Sequence, residues 1–492
     1  MTTSQSQEHL HFVLIPMMSQ SYLIPIIDFA KLLSKSNLTI SIITTPITAH
    51  RYQPTIDHAR SSGHKIQLIP LPFPSKEAGL PEGCESMDSL TSLDLVRNFF
   101  IATYMLQNPI ENLIASMDPP ASCIITTNTL PWVAKIAQKF NLPRFIFHHI
   151  SSFAHLCSHQ ISLTKIDLST KSDTDPFLVP GLPDPIHLTR AQLPDAARSE
   201  MTDMKRAMDE MKAAEISSDG VIINSFDELE LRYAEGYSKV VKKVWCVGPV
   251  GRVAASSSVA DEEHYCLKWL NSKQDRSVIY VCFGSLCHIT TTQLIELGLG
   301  LESSNKPFIW IIRKENNSND LNKWLKQFEE RNTGRGLVIK EWAPQVMILN
   351  HKAVGGFLTH CGWNSVMEGV CAGVVMITWP MFAEQFYNEQ LLIEVLKIGV
   401  RVGVDVSVKW GDDHGLGLLV KKGDVKKGVL ELMEDGGEGR ERRRRAELIG
   451  EMAKMAIEEG GSSFLNVRLF IQHAIMVINQ KKICSDYNAC IH

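Results

Sequence analysis

Short apolar and β-branched runs alternate with helical patterns through the first half of the chain. His11 to Pro16 and Leu38 to Thr44 are such runs, and Ile24 to Ser34 between them has the spacing of a helix. Strand, helix and strand in this order form a βαβ unit with a parallel sheet. The alternation continues and predicts one doubly wound α/β domain. Its further strands are expected at Lys65 to Ile69, Ser122 to Ile125, Arg144 to Phe147 and Gly220 to Ile223.

A second alternating series follows a small, polar and aperiodic stretch, Val250 to Ala260, which is the best candidate for a linker. The long helical pattern Glu441 to Glu459 and a final helix from Ser463 to Val477 end the chain. We therefore predict an N-terminal domain over 1–250, a linker over 251–265, a C-terminal domain over 266–460, and a last helix and tail over 461–492. Strands of the second series are expected at Val278 to Phe283, Phe308 to Arg313, Gly336 to Lys340, Gly355 to Thr359 and Val375 to Thr378.

Composition and charge exclude several other classes of protein. The net charge is −4 and no basic stripe occurs, which disfavours a nucleic-acid partner. The eleven cysteines form no Cys-x-x-Cys, which argues against a metal site and indicates a reducing, cytoplasmic compartment. No signal sequence and no run of about 18 apolar residues is found, so no membrane span is expected. No Gly-x-Gly-x-x-Gly follows an early strand, which disfavours a dehydrogenase.

The most informative stretch contains a strand, a tight turn and the start of a helix. Gly355 to Thr359 is the strand, His360-Cys361-Gly362 is the turn, and Asn364 to Cys371 has the pattern of a helix. A helix N-terminus presents unpaired N–H groups and a positive dipole end, which suits a phosphate. Glu368 lies one turn further on and can accept both hydroxyls of a ribose, and Trp342 offers a flat face for a base. These groups predict a nucleotide-diphosphate site.

The whole stretch from Trp342 to Gln385, with Trp342-Ala343-Pro344-Gln345, His360 to Ser365, Glu368 and Glu384-Gln385, resembles the signature box of plant secondary-product UDP-glycosyltransferases. Its length of 44 residues is also that of the box. The resemblance extends over nearly the whole chain and is greatest to the branch that decorates terpenoids, steroids, flavonoids and hormones. It implies an α/β GT-B fold of two Rossmann-like domains facing a cleft. It also implies an inverting transfer without metal or cofactor, with the acceptor in the N-domain and the UDP-sugar in the C-domain.

The resemblance assigns a role to each donor-box residue. Trp342 stacks on uracil, Ala343 and Gln345 hold the base and ribose, and Glu368 takes the ribose hydroxyls. A Gln at the end of the box is typical of members that prefer glucose. The resemblance also implies which residues bind the rest of the donor. The diphosphate is bound by Ser285, His360, Asn364 and Ser365, and the sugar hydroxyls are bound by Trp363, Glu384 and Gln385.

The N-domain departs from the family at the two positions of its catalytic dyad. Relatives carry a His after the first strand and an Asp that orients it, and Tyr22 and Thr127 stand at those positions here. A free Tyr has a pKa of about 10, so it is a poor general base at neutral pH. His149 and His155 are candidate substitute bases. Three hypotheses remain open: a transferase with another base or an acidic acceptor, a transferase of weak or specialised activity, and a UDP-sugar-binding pseudoenzyme or regulatory paralogue.

The function predicted from the sequence is UDP-sugar-dependent O-glycosylation of a small lipophilic plant metabolite by a monomer, with UDP-glucose as the favoured donor. The sequence does not identify the acceptor. Its pocket is expected to be formed by variable loops, around Pro70 to Leu90, Ser151 to Asp184 and Thr189 to Asp209.

Overall fold

The chain forms two compact α/β units. The computed structural model describes residues 10–90, 92, 94–163, 172–198, 202–253, 264–285, 287, 289–312, 319–408 and 420–489. The first unit comprises Met1–Ser152, Glu200–Ala255 and Ala456–His492, and the second comprises Phe153–Ser199 and Ser256–Met455.

The first unit contains a seven-stranded parallel sheet in the order β3-β2-β1-β4-β5-β8-β9. Its strands are rich in Ile, Val and Phe and are mostly buried on both faces, as expected for a parallel sheet covered by helices. The strands are β1 His11–Ile15, β2 Thr39–Thr44, β3 Ile66–Pro70, β4 Cys123–Thr126, β5 Arg144–His148, β8 Gly220–Ile223 and β9 Val244–Cys246.

Helices alternate with these strands along the chain. The helices of this part of the chain are α1 Gln20–Ser34, α2 Pro46–Ser61, α3 Asp94–Met105, α4 Gln107–Ser116, α5 Val133–Lys139, α6 Ser152–Leu163, α7 Asp195–Arg198, α8 Thr202–Ile216, α9 Asp227–Tyr237 and α10 Val250–Val253. A short antiparallel pair, β6 Phe177–Leu178 with β7 His187–Leu188, lies in the segment assigned to the second unit.

The second unit contains a six-stranded parallel sheet in the order β12-β11-β10-β13-β14-β15. Its strands are β10 Val278–Cys282, β11 Phe308–Ile311, β12 Gly336–Ile339, β13 Val354–Thr359, β14 Met376–Thr378 and β15 Gly399–Arg401. Its helices are α11 Tyr265–Asn271, α12 Thr291–Ser304, α13 Asn319–Arg331, α14 Gln345–Leu349, α15 Trp363–Cys371, α16 Gln385–Gln390, which runs into a π-turn Leu391–Val395, α17 Lys422–Leu432 and α18 Gly437–Ile457.

The last helix, α19 Ser462–Ala489, packs into the core of the first unit. The Phe470 ring lies 5.1 Å from Phe145 and 5.5 Å from Trp245, both in edge-on geometry. At its first turn the Ser463 hydroxyl donates to the main-chain oxygen of Gly248. The aromatic cluster thus attaches the end of the chain to the sheet in which the chain begins.

The predicted elements are found with small shifts of their ends, and a few predictions need correction. The stretch predicted as a linker begins as a helical turn, because Val250 is buried in the core of the first unit and its N–H is bound by Asn224. Residues 254–263 of that stretch, and Arg313 of the strand predicted from Phe308, lie outside the described residues. The final helix extends to Ala489 rather than Val477, and the three-residue strands β9 and β15 were not predicted.

One helical stretch among the described residues, Gly437–Cys484, has the length and composition needed to cross a membrane. A core helix in a folded domain can pass the same test, and Phe470 and Ala474 of this stretch are fully buried. A single stretch of this kind is weak evidence, so the absence of a membrane span remains a prediction.

Candidate active site

A strained turn connects the central strand of the second unit to α15. Cys361 has a φ of 64°, in the left-handed region that non-glycine residues rarely adopt. Its N–H donates to the Thr359 hydroxyl at 3.3 Å, and its carbonyl accepts from Asn388 Nδ2 at 2.9 Å. The tight turn predicted here is confirmed. It brings the N-terminus of α15 to the carboxyl end of the sheet, where ligands bind in α/β folds.

The His360 ring is held between two glycines of neighbouring loops. β10 and β13 are adjacent and parallel, with Cys282 opposite Thr359, so the loops that follow them meet. A Cβ on Gly284 would lie 2.6 Å from His360 Cε1, and a Cβ on Gly362 would lie 2.3 Å from His360 Nε2. Gly284 also has a φ of 71°. The imidazole therefore occupies space that only glycine can leave open at both positions.

Burial lowers the pKa of His360 to about 4, so its imidazole is neutral at neutral pH. Among the described residues, its buried Nδ1 has no hydrogen-bond partner. Buried polar atoms are normally paired, so an unpaired one needs an explanation. The position beside the helix N-terminus supplies one, because a phosphate oxygen there would accept from this imidazole. Ser285 follows Gly284 in the same loop.

Gln345 contacts two of the other predicted donor-site residues and one tyrosine that was not predicted. Its Nε2 donates to Glu368 Oε2 at 2.6 Å and lies 3.3 Å from the Ser365 hydroxyl. Its Oε1 accepts from the Tyr280 hydroxyl at 3.0 Å. The Glu368 carboxylate is thereby fixed one helical turn from the start of α15. Tyr280 was not singled out from the sequence, because nothing local distinguishes it from any other aromatic residue of a buried strand.

Trp342 is the exposed aromatic residue of the site. Its side chain keeps 67% of its accessible surface. The other large aromatics of the box, Trp363 and Trp379, are almost fully buried. Ala343 follows Trp342, and its carbonyl accepts from the Gln345 N–H at 2.8 Å, which shapes the entry to α14. The exposed indole is therefore the tryptophan of the box that can stack on a base.

The sugar-side residues begin α16 and are held by main-chain contacts. Burial raises the pKa of Glu384, an effect opposed by hydrogen bonds from its own N–H and from the N–H of Trp363. Gln385 is buried, and its Oε1 accepts from the main-chain N–H groups of Met381 at 2.8 Å and Phe382 at 3.1 Å. The Gln385 oxygen is thus committed to the protein, and its amide nitrogen is the group left to donate to a sugar hydroxyl.

On the acceptor side, Tyr22 lies against His149. Their ring centroids are 3.8 Å apart at an angle of 47°. Tyr22 is in the first turn of α1, and His149 follows the end of β5. Burial and the nearby charge of His148 lower the pKa of His149 to about 3. The candidate base is therefore neutral at neutral pH, but such a low pKa makes it a weak proton acceptor.

The other two acceptor-side predictions, Thr127 and His155, are both buried. The Thr127 side chain is buried, and its Oγ1 accepts from the Met17 N–H at 3.2 Å and lies 3.0 Å from Thr129 Oγ1. Thr127 thus holds the loop after β1 rather than orienting a base. His155 is buried on α6, in the segment that belongs to the second unit, while Tyr22, Thr127 and His149 belong to the first.

Comparisons with known proteins agree with this geometry. A family model described as UDP-glucoronosyl and UDP-glucosyl transferase matches residues 251–409. UDP-glycosyltransferase 73D1 of Arabidopsis thaliana is 48% identical over 95% of this chain and 97% of its own length. UDP-glycosyltransferase 73C12 of Barbarea vulgaris is 46% identical over 94% of this chain and 96% of its own length.

Solved structures show the same similarity. UGT73P12 of Glycyrrhiza uralensis, in complex with glycyrrhetinic acid 3-O-monoglucuronide, superposes with a TM-score of 0.91 at 36% identity over 98% of this chain and 99% of its own. A Polygonum tinctorium UDP-glucosyltransferase capable of glucosylating indoxyl has a TM-score of 0.77 at 27% identity over 95% of this chain and 99% of its own. The chain therefore belongs to the plant UDP-glycosyltransferases, enzymes of the GT-B fold that transfer sugars from UDP-sugars to small molecules.

Proposed function

We propose that this protein transfers glucose from UDP-glucose to a hydroxyl group of a small lipophilic plant metabolite, with inversion and without a metal. The observation that carries the proposal is the Glu368 carboxylate, held by Gln345 beside a helix N-terminus and a neutral His360. A carboxylate for the ribose, N–H groups for the diphosphate and the exposed Trp342 for the base together match the parts of a UDP-sugar.

Two observations support the lipophilic acceptor and the compartment. The solved relatives are complexes with glycyrrhetinic acid 3-O-monoglucuronide and with 3,4-dichloroaniline, both of which contain an apolar carbon skeleton. None of the ten cysteines among the described residues forms a disulfide, which supports a reducing environment such as the cytoplasm. We propose a monomer as the active form.

Product analysis tests the proposal directly. The protein is incubated with UDP-glucose and a panel of phenols, triterpenoid alcohols and carboxylic acids, and each mixture is analysed by mass spectrometry for a gain of one hexose. We expect at least one glucoside and release of UDP. UDP release without any glucoside would indicate hydrolysis only, and the proposal would fail.

The dyad positions support a second candidate function, a UDP-sugar-binding paralogue that does not turn over. Tyr22 and Thr127 replace the groups that activate the acceptor in relatives, and His149 is a weak proton acceptor. The two functions differ in one result. Micromolar binding of UDP without product from any acceptor would favour the paralogue, whereas failure to bind UDP would exclude both.

Trp342→Ala is expected to weaken UDP binding by about 1–3 kcal/mol, the usual contribution of one base stacked on an aromatic side chain. The indole is exposed, so its removal should leave the fold intact. Calorimetric titration with UDP gives the affinity. Trp269→Ala is the matched control, because that indole stacks with Lys273 outside the donor box. Equal affinity of wild type and Trp342→Ala for UDP would contradict the assignment.

Gln385→His is expected to shift donor preference from UDP-glucose towards UDP-galactose. Glucose and galactose differ in the direction of one hydroxyl, and the Gln385 nitrogen is the group that can donate to it. The change also removes the oxygen that binds the Met381 and Phe382 N–H groups, so a fall in total rate is expected. The measurement is the ratio of kcat/KM for the two donors. An unchanged ratio would show that Gln385 does not choose the sugar.

A further inference from the structure

One buried carboxylate of the first unit receives hydrogen bonds from three separate elements. Glu215, in the last turn of α8, is 5% exposed. Its Oε1 pairs with His148 Nε2 at 2.7 Å and also accepts from the Tyr237 hydroxyl of α9. Its Oε2 accepts from Asn128 Nδ2 at 3.4 Å. The carboxylate thus connects α9 with the loops that follow two strands.

Those two loops carry the residues of the acceptor side. His148 is the last residue of β5 and directly precedes His149, which contacts Tyr22. Asn128 directly follows Thr127, which lies after the end of β4. β4 and β5 are parallel neighbours, so both loops leave the sheet at its carboxyl edge. Glu215 therefore binds residues at the carboxyl ends of both β4 and β5, the two strands whose following loops carry Thr127 and His149.

A purely structural role does not account well for a buried carboxylate at this position. Burying a carboxylate costs free energy because the group loses its hydration, and apolar residues of the same volume are often at least as stabilising. The surrounding sheet already has a large apolar core, and a smaller buried cluster that includes Ile146, Val221 and Ile223 adds to it, so the sheet does not depend on a charge for its stability. The Glu215 contacts begin where the main-chain ladder of β5 ends. They fix the direction of the chain beyond the strand.

We infer that Glu215 is a positioning residue of the acceptor side, which acts through His148 and Asn128 to hold His149 against Tyr22. The inference rests on the proposed function for its catalytic consequence. It assigns to Glu215, a residue outside the donor box, an effect on the reaction of the acceptor alone. Tyr237 has the same role to a lesser degree, because its hydroxyl is one of several donors to the carboxylate.

The test compares Glu215→Gln with Asp28→Asn. Both changes neutralise a carboxylate of the first unit, but Asp28 is only partly buried, with 15% of its side chain exposed, and it pairs with Lys31 within α1, at 3.1 Å. Glu215→Gln is expected to lower kcat/KM for the acceptor roughly 10- to 100-fold, as a displaced positioning group can. The KM for UDP-glucose should stay within about twofold of wild type under the same reasoning. Asp28→Asn should change neither the acceptor kcat/KM nor the KM for UDP-glucose. Both variants are expected to lose thermal stability.

Two further measurements separate positioning from general destabilisation. In a His149→Ala background, Glu215→Gln should have little additional effect on acceptor kcat/KM, because the group through which it acts has gone. Amide hydrogen exchange should rise in peptides over 127–130 and 148–151 in Glu215→Gln but not in Asp28→Asn. Multiplicative kinetic effects with His149→Ala, or unchanged exchange in both peptides, would overturn the inference. If the wild type shows no turnover, the proposed function fails. The hydrogen-exchange result would still decide whether Glu215 positions the two loops.

Discussion

Turnover of an aliphatic alcohol is expected to rise roughly 10²-fold when Tyr22→His and Thr127→Asp are combined, which is the low end of what a positioned general base contributes. Tyr22 lies in the first turn of α1, at the position that the resemblance to the family assigns to a catalytic base. Thr127 is buried beside the Met17 N–H, which would hydrogen-bond an aspartate at that position and help to fix its side chain. The double variant therefore restores a base together with the group that orients it.

Each single change should do much less. Tyr22→His alone supplies an imidazole without an orienting carboxylate, and Thr127→Asp alone places a charge in a buried position with no imidazole to pair with it. The two changes act as a unit, so the gain of the double variant should exceed the product of the single gains. Initial rates are measured with UDP-glucose and either one phenol or one aliphatic alcohol. The comparison covers the wild type, the two single variants and the double variant. A double variant no faster than either single would show that acceptor activation in this chain does not use these positions.

The same assay tests how the wild type handles the acceptor proton. Acidic phenols and carboxylic acids need less help from a base than alcohols do, so the wild type should favour them. His149 and His155 remain the candidate substitutes, and the low pKa of His149, about 3, argues that its contribution as a proton acceptor is small. If the wild type glucosylates the alcohol efficiently and loss of both histidines changes nothing, Tyr22 or the acceptor itself must manage the proton.

The donor site could be predicted from the sequence because its geometry is mostly local. The turn at Cys361, the start of α15 and the Glu368 carboxylate lie within nine consecutive residues, so spacing alone fixes their arrangement. Even there, the sequence did not show that the Gln385 oxygen is occupied by main-chain N–H groups. Such a contact depends on the path of the preceding loop, which no periodicity encodes.

The acceptor side could be predicted only in part, because its contacts join distant segments. Tyr22 and His149 are 127 positions apart, and their ring contact follows from the order of the strands in the sheet. Glu215 was missed because a charged residue at the end of a polar helix normally faces water. Its burial is caused by α9 and the ends of β4 and β5, which surround it in the folded unit. The short strands β9 and β15 were not predicted because three residues are too few to show a period.

Gly362→Ala is expected to weaken UDP-sugar binding by at least about tenfold, the loss that follows from removing one good hydrogen bond to a charged group. The new methyl group would lie 2.3 Å from His360 Nε2, so the imidazole must leave its position. Gly284 also approaches the ring closely, since a Cβ there would lie 2.6 Å from His360 Cε1. The displaced ring could no longer donate to the diphosphate at the start of α15.

A double-mutant cycle with His360→Ala shows whether the glycine acts through the histidine. With the imidazole removed, Gly362→Ala should cost little further affinity, because the added methyl group no longer meets a ring. Gly423→Ala serves as the control, since a Cβ there meets open space in the same unit. UDP affinity is measured by calorimetry for wild type, both singles, the double and the control. Independent, additive losses from Gly362→Ala and His360→Ala would mean that Gly362 is required for the path of the main chain itself. The packing of His360 between the two glycines would then not be what sets donor affinity.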